Sequence, residues 1–405
     1  MDEPVRFGYA CINLALKPKK ITTNKTCRLS TIDKYKSSED KYNFLITKSL
    51  ENLRHLKIII QWHIDNGHHF YRLSSDMFPH ISSPELDTRL DSIHLEQYRN
   101  LSFAKTILGE IGLLAYNNNI RMTMHPGQYN QLGSPTTSVV DKTFVDLAWQ
   151  AQIFEVMEEA IYESTGRAHA LPNSTLCIHG GGVYNNKSGA LVRWVENFNR
   201  MPDFVRNRIA LENCEKGYCV DDLLPICQKL AIPLIFDFFH YTCYDHFHPK
   251  EHQRSISDLM PDILKTWHIR NMRPKFHLSN QAPDKCVGAH SDFVESVPDE
   301  LLQLHQCGIP FDIMVEAKQK DIAMIYLMKK HPQLLSKPLS HIVPPHINES
   351  YTYIPSTTII SNNIITNDNN KTKKVLLFRR KQVITTEIVV KKKIVMLRKK
   401  NIIYD

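Results

Sequence analysis

Six short apolar runs, each ending on a side chain of the metal-ligand type, constrain this chain more than any other feature. They read MTMHPGQYN, TLCIHGGG, IALENCE, PLIFDFFH, PKFHLS and FDIMVEAK. Their terminal groups are His125, His179, Glu212, Asp237 with His240, His277, and Glu316. Short continuous apolar runs of this kind read as strands buried on both faces of a parallel sheet. Eight strand-then-helix units can be drawn in all. The strands fall at about Val5–Asn13, Phe70–Ser75, Ile120–His125, Ser174–His179, Arg208–Asn213, Pro233–Phe238, Lys275–Leu278 and Phe311–Glu316. The helices fall near Tyr42–Asp65, Leu95–Tyr116, Val139–Glu163, Gly189–Arg200, Asp221–Leu230, Ser257–Trp267, Pro298–Cys307 and Lys320–Lys330. This alternation predicts an α/β fold, a TIM-type (β/α)8 barrel over residues 1–335. In such a barrel the strand C-termini converge on one face, where the chemistry sits.

Composition narrows the setting. No apolar run reaches 18 residues, and the opening MDEPVRFGYACIN lacks the basic and apolar regions of a secretory signal. Nine cysteines contain no CxxC pair. The expectation is therefore an intracellular, monomeric chain with reduced thiols and no membrane partner. The net charge of +8 is unevenly spread. Residues 361–405 hold 12 of the 50 Lys/Arg and three of the 42 Asp/Glu, a surplus of nine, which leaves 38 bases against 39 acids elsewhere. From about Pro338 the composition turns to Asn, Ile, Thr and Lys. Residues 336–405 are expected to form a low-complexity basic C-terminal extension, partly disordered. Its stretch KKVLLFRRKQVITTEIVVKKKIVML has strand-like content that suits a hairpin or a surface laid on DNA.

The strand-end residues form a plausible donor set. His125, His179, Glu212 and Glu316 end strands three, four, five and eight. Asp237 and His240 stand three apart where strand six ends. Lys275 and His277 alternate on strand seven and so share a face. His290 follows in GAHSDF. Imidazole and carboxylate donors suit zinc, manganese or iron(II), and the set is too large for one ion. Two or three divalent ions sharing carboxylates would stabilise both the attacking and the leaving oxygen of a phosphoryl displacement.

A recognition surface can be placed beside them. Gln128 and Tyr129 follow His125 on a tight loop, where a ring can stack and an amide can fill vacated hydrogen-bonding space between bases. Tyr9 is expected to leave strand one at the same face as a second aromatic. Asn13 and the Gly180–Gly182 loop would admit a phosphate backbone. Arg72, Ser74, Ser75 and His80 add polar groups after strand two.

RFGYACIN, TCRLS, YRLSSDMFPH, MHPGQYNQL, CIHGGG, LENCE, FDFFH, PKFHLS, AHSDF and MVEAKQKD, in this order, resemble the UV damage endonuclease family. The resemblance covers roughly residues 5–330 and does not extend to the basic tail. It implies a metal-dependent DNA repair endonuclease, a hydrolase of damaged double-stranded DNA, with a divalent cluster in which Mn2+ is favoured over Zn2+, Mg2+ or Co2+. Such enzymes nick immediately 5′ to ultraviolet photoproducts and leave a 3′-hydroxyl and a 5′-phosphate. The resemblance implies that His125, His179 and Glu212 hold one ion. Glu212, Asp237, His290 and Glu316 would hold a second, and His240 with His277 a third. Lys275 matches a lysine that the family carboxylates into an anionic ligand. Catalysis is thus expected from Glu212, Lys275, His125, His179 and Glu316. DNA contact is expected from Tyr9, Asn13, Gln128, Tyr129 and His80. The rival readings are an apurinic endonuclease of the endonuclease IV kind, a sugar isomerase barrel, and a catalytically inactive DNA-binding protein.

Overall fold

A computed structural model describes residues 3–336, together with the backbone of two strands at 373–379 and 382–388. The barrel strands are β1 (Val5–Ala10), β2 (Phe70–Arg72), β3 (Arg121–Thr123), β4 (Leu176–His179), β5 (Ile209–Glu212), β6 (Leu234–Asp237), β7 (Lys275–Leu278) and β8 (Phe311–Val315). They run in the order β3-β2-β1-β8-β7-β6-β5-β4, every neighbouring pair parallel. The two ends of that order meet at one parallel bridge, Met124 with Leu176. There the Met124 N–H donates to the Thr175 carbonyl and the Cys177 N–H to the Met124 carbonyl, both at 2.9 Å. The (β/α)8 expectation holds.

The lumen is identified by contacts that cross it. β3 and β8 are not neighbours, yet Arg121 Nη1 donates to Asp312 Oδ2 at 2.8 Å. Arg273, just before β7, donates from Nε to Asp312 Oδ1 at 2.6 Å. Strand side chains alternate with period two, so the inward columns run Arg121–Thr123–His125, Arg273–Lys275–His277 and Asp312–Met314–Glu316. A charged floor, a middle layer and a rim of ligand-type residues result. In the middle layer Ala10, Phe70 and Met314 form an apolar cluster separate from the main core. A Cβ on Gly8 would lie 2.6 Å from the Phe70 ring, so glycine makes room for that side chain. The main core lies outside the strands, where residues such as Leu53, Leu56 and Ile60 of the helix Ser38–Asp65 pack.

The floor gives the first prediction. Asp312 is fully buried and neutralises part of the charge of two buried arginines. Asp312→Ala removes the carboxylate they share and is expected to cost about 3–5 kcal/mol in urea unfolding. A loss under about 1 kcal/mol would show that the floor does not hold the barrel together.

Several elements differ from the sequence expectation. The helix placed at Leu95–Tyr116 is broken into Ser92–Arg99 and Lys105–Asn117. At the break Asn100 Oδ1 accepts the Ser102 N–H in a local turn, and Leu101 sits at φ 58°. Such side-chain turns compete with helical hydrogen bonds. A further helix, Phe238–Phe247, starts directly on the end of β6. Its first turn is capped by Asp237, whose Oδ1 accepts from the Phe239 and His240 N–H groups at 2.7 and 2.8 Å. At the start of the chain β1 stops at Ala10, because Cys11 takes a left-handed φ of 67°.

The barrel lies within a unit spanning residues 1–348, and residues 349–405 form a second unit. In the second, Lys373–Arg379 pairs antiparallel with Gln382–Ile388. The rest of the proposed tail lies outside the described residues.

Candidate metal centre

Glu212 is the hub of the rim. It ends β5 and is fully buried. Its two oxygens face different partners. Oε2 lies 3.2 Å from His125 Nε2 and 4.0 Å from His179 Nε2. Oε1 lies 2.9 Å from His277 Nδ1 and 3.4 Å from His240 Nδ1. The strand register explains the meeting: His179 stands opposite Glu212 across β4 and β5, and Asp237 opposite His277 across β6 and β7.

Asp237 uses one oxygen as a helix cap and leaves Oδ2 buried without a hydrogen-bond partner, 3.8 Å from His240 Nδ1. Glu316 Oε1 accepts from Arg72 Nη1 and lies 3.2 Å from His277 Nδ1, while Oε2 lies 4.0 Å from His290 Nδ1. Among the described residues, ligand atoms gather within 4.8 Å of one another in four sets: His125, His179 and Glu212; Cys177, Glu212 and His277; Glu212, Asp237 and His240; Asp237, His277 and Glu316. His277 thus stands with Asp237 and Glu316, whereas His290 stands at the edge of the cluster. Glu212 belongs to three of the four sets.

These donors fit divalent ions. Among the described residues, buried atoms of the site such as Asp237 Oδ2, His277 Nε2 and Lys275 Nζ have no hydrogen-bond partner. Native proteins rarely leave such atoms unpaired. Burial pushes His179 and His277 down to about 4, against the pull of Glu212. That keeps both imidazoles neutral, the form that donates a lone pair to a metal. Burial pushes Asp237 up to about 7. On His240 burial acts downward, but Asp237, Glu212 and Glu316 outweigh it and raise the ring to about 9. Glu316 is held well below the usual carboxylate range; burial opposes this, and Arg72 and His277 prevail. Lys275 is fully buried, and desolvation lowers its amine to about 8.

Cys177 was not among the expected ligands, yet its buried thiol donates to Glu212 Oε2 at 2.7 Å. Burial, then the Glu212 charge, pushes the thiol well above its ordinary value, so it is protonated. Its place two residues before His179 was the available signal, since alternation puts both on one face. All nine cysteines are free thiols, and Cys11 is only half-buried.

The expected recognition residues divide. Gln128 and Tyr129 are exposed on the β3 loop, Tyr129 at 82%. His80 is half-buried, bonds through Nε2 to the Cys27 carbonyl at 2.7 Å, and lines a cavity of about 320 Å3 that Gly127 and Tyr129 also line. Tyr9 and Asn13 correct the expectation, because both are completely buried. Asn13 Nδ2 donates to Tyr9 Oη at 2.7 Å, and Asn13 Oδ1 accepts the Leu16 N–H at 2.8 Å. Tyr9 also meets His63 Nε2 at 2.9 Å and packs on Trp62 and Tyr71. Gly8 and Ala10 face the lumen, so Tyr9 between them faces the helices. Tyr9 braces β1 against the helix Ser38–Asp65, Asn13 holds the Tyr9 hydroxyl, and neither presents surface to DNA.

Eight parallel strands with a converging cluster of imidazoles and carboxylates define a (β/α)8-barrel protein with a candidate metal centre on its C-terminal face. Comparison with known proteins goes further. Residues 5–344 match the model of the UV-endonuclease UvdE family, and the chain belongs to that family. A protein of Acanthamoeba polyphaga mimivirus is 36% identical over 328 residues, 81% of this chain and 91% of its own. The UV-damage endonuclease of Schizosaccharomyces pombe is 33% identical over 342 residues, 82% of this chain but 52% of the fungal protein. The crystal structure of SacUVDE superposes with a TM-score of 0.64 at 28% identity, covering 82% of this chain and 99% of the other. Among the described residues no helix is long and apolar enough to cross a membrane.

Proposed function

We propose that this protein is a metal-dependent DNA repair endonuclease. It nicks duplex DNA immediately 5′ to ultraviolet photoproducts, cyclobutane dimers and 6-4 products, leaving a 3′-hydroxyl and a 5′-phosphate. The observation that carries this reading is the two-sided environment of Glu212 within a UvdE family barrel. One carboxylate set between two groups of imidazoles is the arrangement that lets a single residue bridge ions.

His125, His179 and Glu212 would hold one ion; Asp237, His240, His277, His290 and Glu316 would supply the others, with Mn2+ the favoured metal. When bound, such ions generate the attacking nucleophile and neutralise charge on the leaving oxygen. Glu212, Asp237 and Glu316 bring the anionic charge that retains the cations. Lys275 supports a further ligand: an amine lowered to about 8 has an accessible neutral form, the form that carboxylation requires. Arg72 holds Glu316 ionised and in place.

Lesion choice would rest on deformability. A photodimer is already poorly stacked, so extruding it costs less than the few kcal/mol of an intact step. Gln128 and Tyr129 stand exposed to fill the gap.

Incubation with irradiated and unirradiated plasmid across Mn2+, Zn2+, Mg2+ and Co2+ tests the reading. Breaks in the irradiated plasmid are expected with Mn2+, and chelation by EDTA should stop them. Equal nicking of both plasmids, or nicking confined to abasic sites, would defeat it.

A further inference from the structure

We propose that Gln131 is a positioning residue for lesion recognition: it clamps the loop carrying Gln128 and Tyr129 to the glycine loop after β4. The inference rests on the endonuclease reading, but it concerns a residue that lies in none of the ligand sets.

The Gln131 side chain ties two loops together through three hydrogen bonds. Its Nε2 donates to the Gln128 carbonyl at 2.7 Å. Its Oε1 accepts the Gly182 N–H at 2.6 Å and the Tyr184 hydroxyl at 3.2 Å. The first bond is made to the main chain of the residue immediately before Tyr129. The other two reach across to β4's loop, so one amide spans the barrel rim between the two loops.

The glycine loop is shaped to receive it. Gly181 has a φ of 87°, which L side chains rarely adopt, and a Cβ there would lie 2.6 Å from Gln131 Oε1. Tyr184 and Asn185 also take left-handed φ values of 49° and 55°. Two consecutive non-glycine residues in this region need support from their surroundings, and Gln131 bonds to one of them, Tyr184, as well as to Gly182.

The rest of the probe loop is fastened elsewhere. Asn130 Nδ2 donates to the Gly127 carbonyl at 2.9 Å and to Asp146 Oδ2 at 2.8 Å on the helix Thr137–Thr165. Arg193 Nε donates to the Gly133 carbonyl at 2.9 Å. Those bonds anchor the flanks. Gln131 alone of these side chains reaches the Gln128 carbonyl, next to an aromatic ring left 82% exposed. A wedge that enters a base stack gains most when its backbone is ordered before binding, because no ordering entropy is then lost on contact.

The experiment compares wild type with Gln131→Ala and Gln131→Glu in the full chain, loaded with Mn2+. Gln131→Glu keeps the acceptor for Gly182 but loses the donor to Gln128, and so separates the two arms. Three readouts are taken: amide exchange over residues 126–134 and 180–186, bound manganese, and KM and kcat on irradiated against unirradiated duplex. In Gln131→Ala both loops should exchange faster and manganese content should stay unchanged. The preference for irradiated duplex should fall about tenfold, through KM. In Gln131→Glu the faster exchange should centre on residues 126–134. Faster exchange with preference unchanged would overturn the clamp as a recognition device, and unchanged exchange would overturn it outright. A wild type with no preference for irradiated duplex would instead defeat the functional reading, a distinct result.

Discussion

Glu212→Gln is expected to lower strand nicking at least about 10^3-fold while leaving binding to damaged duplex largely intact. The amide preserves the shape of a buried side chain, so the barrel should fold. It removes the negative charge that both groups of imidazoles face. Whichever way the amide turns, its NH2 points at a site that now needs a lone pair. Toward Oε2 it would meet His125 and Cys177; toward Oε1 it would meet His277. At least one face therefore stops accepting a cation. Three measurements check this together: bound manganese per chain, nicking of irradiated plasmid, and gel retardation of a photodimer duplex. Manganese should fall, nicking should vanish, and retardation should persist. Full manganese content with nicking intact would remove Glu212 from the bridging role and leave the centre without its shared ligand.

The strand-end donors were legible because two regularities act at once. A parallel sheet imposes a common direction, and period two imposes a common face. Arg121 and His125, or Lys275 and His277, are related by nothing more than even spacing. The same arithmetic applied to β1 would have removed Tyr9, since Arg6, Gly8 and Ala10 take the lumen and Tyr9 falls on the helix side. What it lacked was the parity of β1, fixed only once Phe70 and Met314 are seen to pack on Ala10.

Other parts of the site depend on contacts no local pattern carries. Arg72 and Glu316 stand 244 residues apart and meet because β1 alone separates β2 from β8. Cys177 reads as one more buried thiol until β5 places Glu212 beside it. The helix Phe238–Phe247 was hidden because an aromatic run continues the strand pattern past its end. Asp237 decides the matter by capping the helix, and that cap frees its second oxygen for the cluster.

Gln128→Ala with Tyr129→Ala should reduce the preference for irradiated over unirradiated duplex by about 10- to 100-fold, the worth of one stacked base at roughly 1–3 kcal/mol. The loops and the centre predict a clean separation of effects. Gln128 and Tyr129 lie in none of the ligand sets, and Tyr129 is mostly exposed, so removing it leaves no cavity in the core. Manganese content and thermal stability should therefore match wild type. The loss should appear in KM for the damaged duplex, with kcat at saturation less affected, because the wedge pays for distortion of the helix and not for the displacement at phosphorus. Substrate design sharpens the test. A duplex in which the two bases opposite the photodimer are mispaired costs less to open, so it should restore part of the loss in the double variant. Equal loss on paired and mispaired substrates would show that these residues bind DNA without opening it, and undiminished preference on both would place lesion recognition elsewhere on the rim.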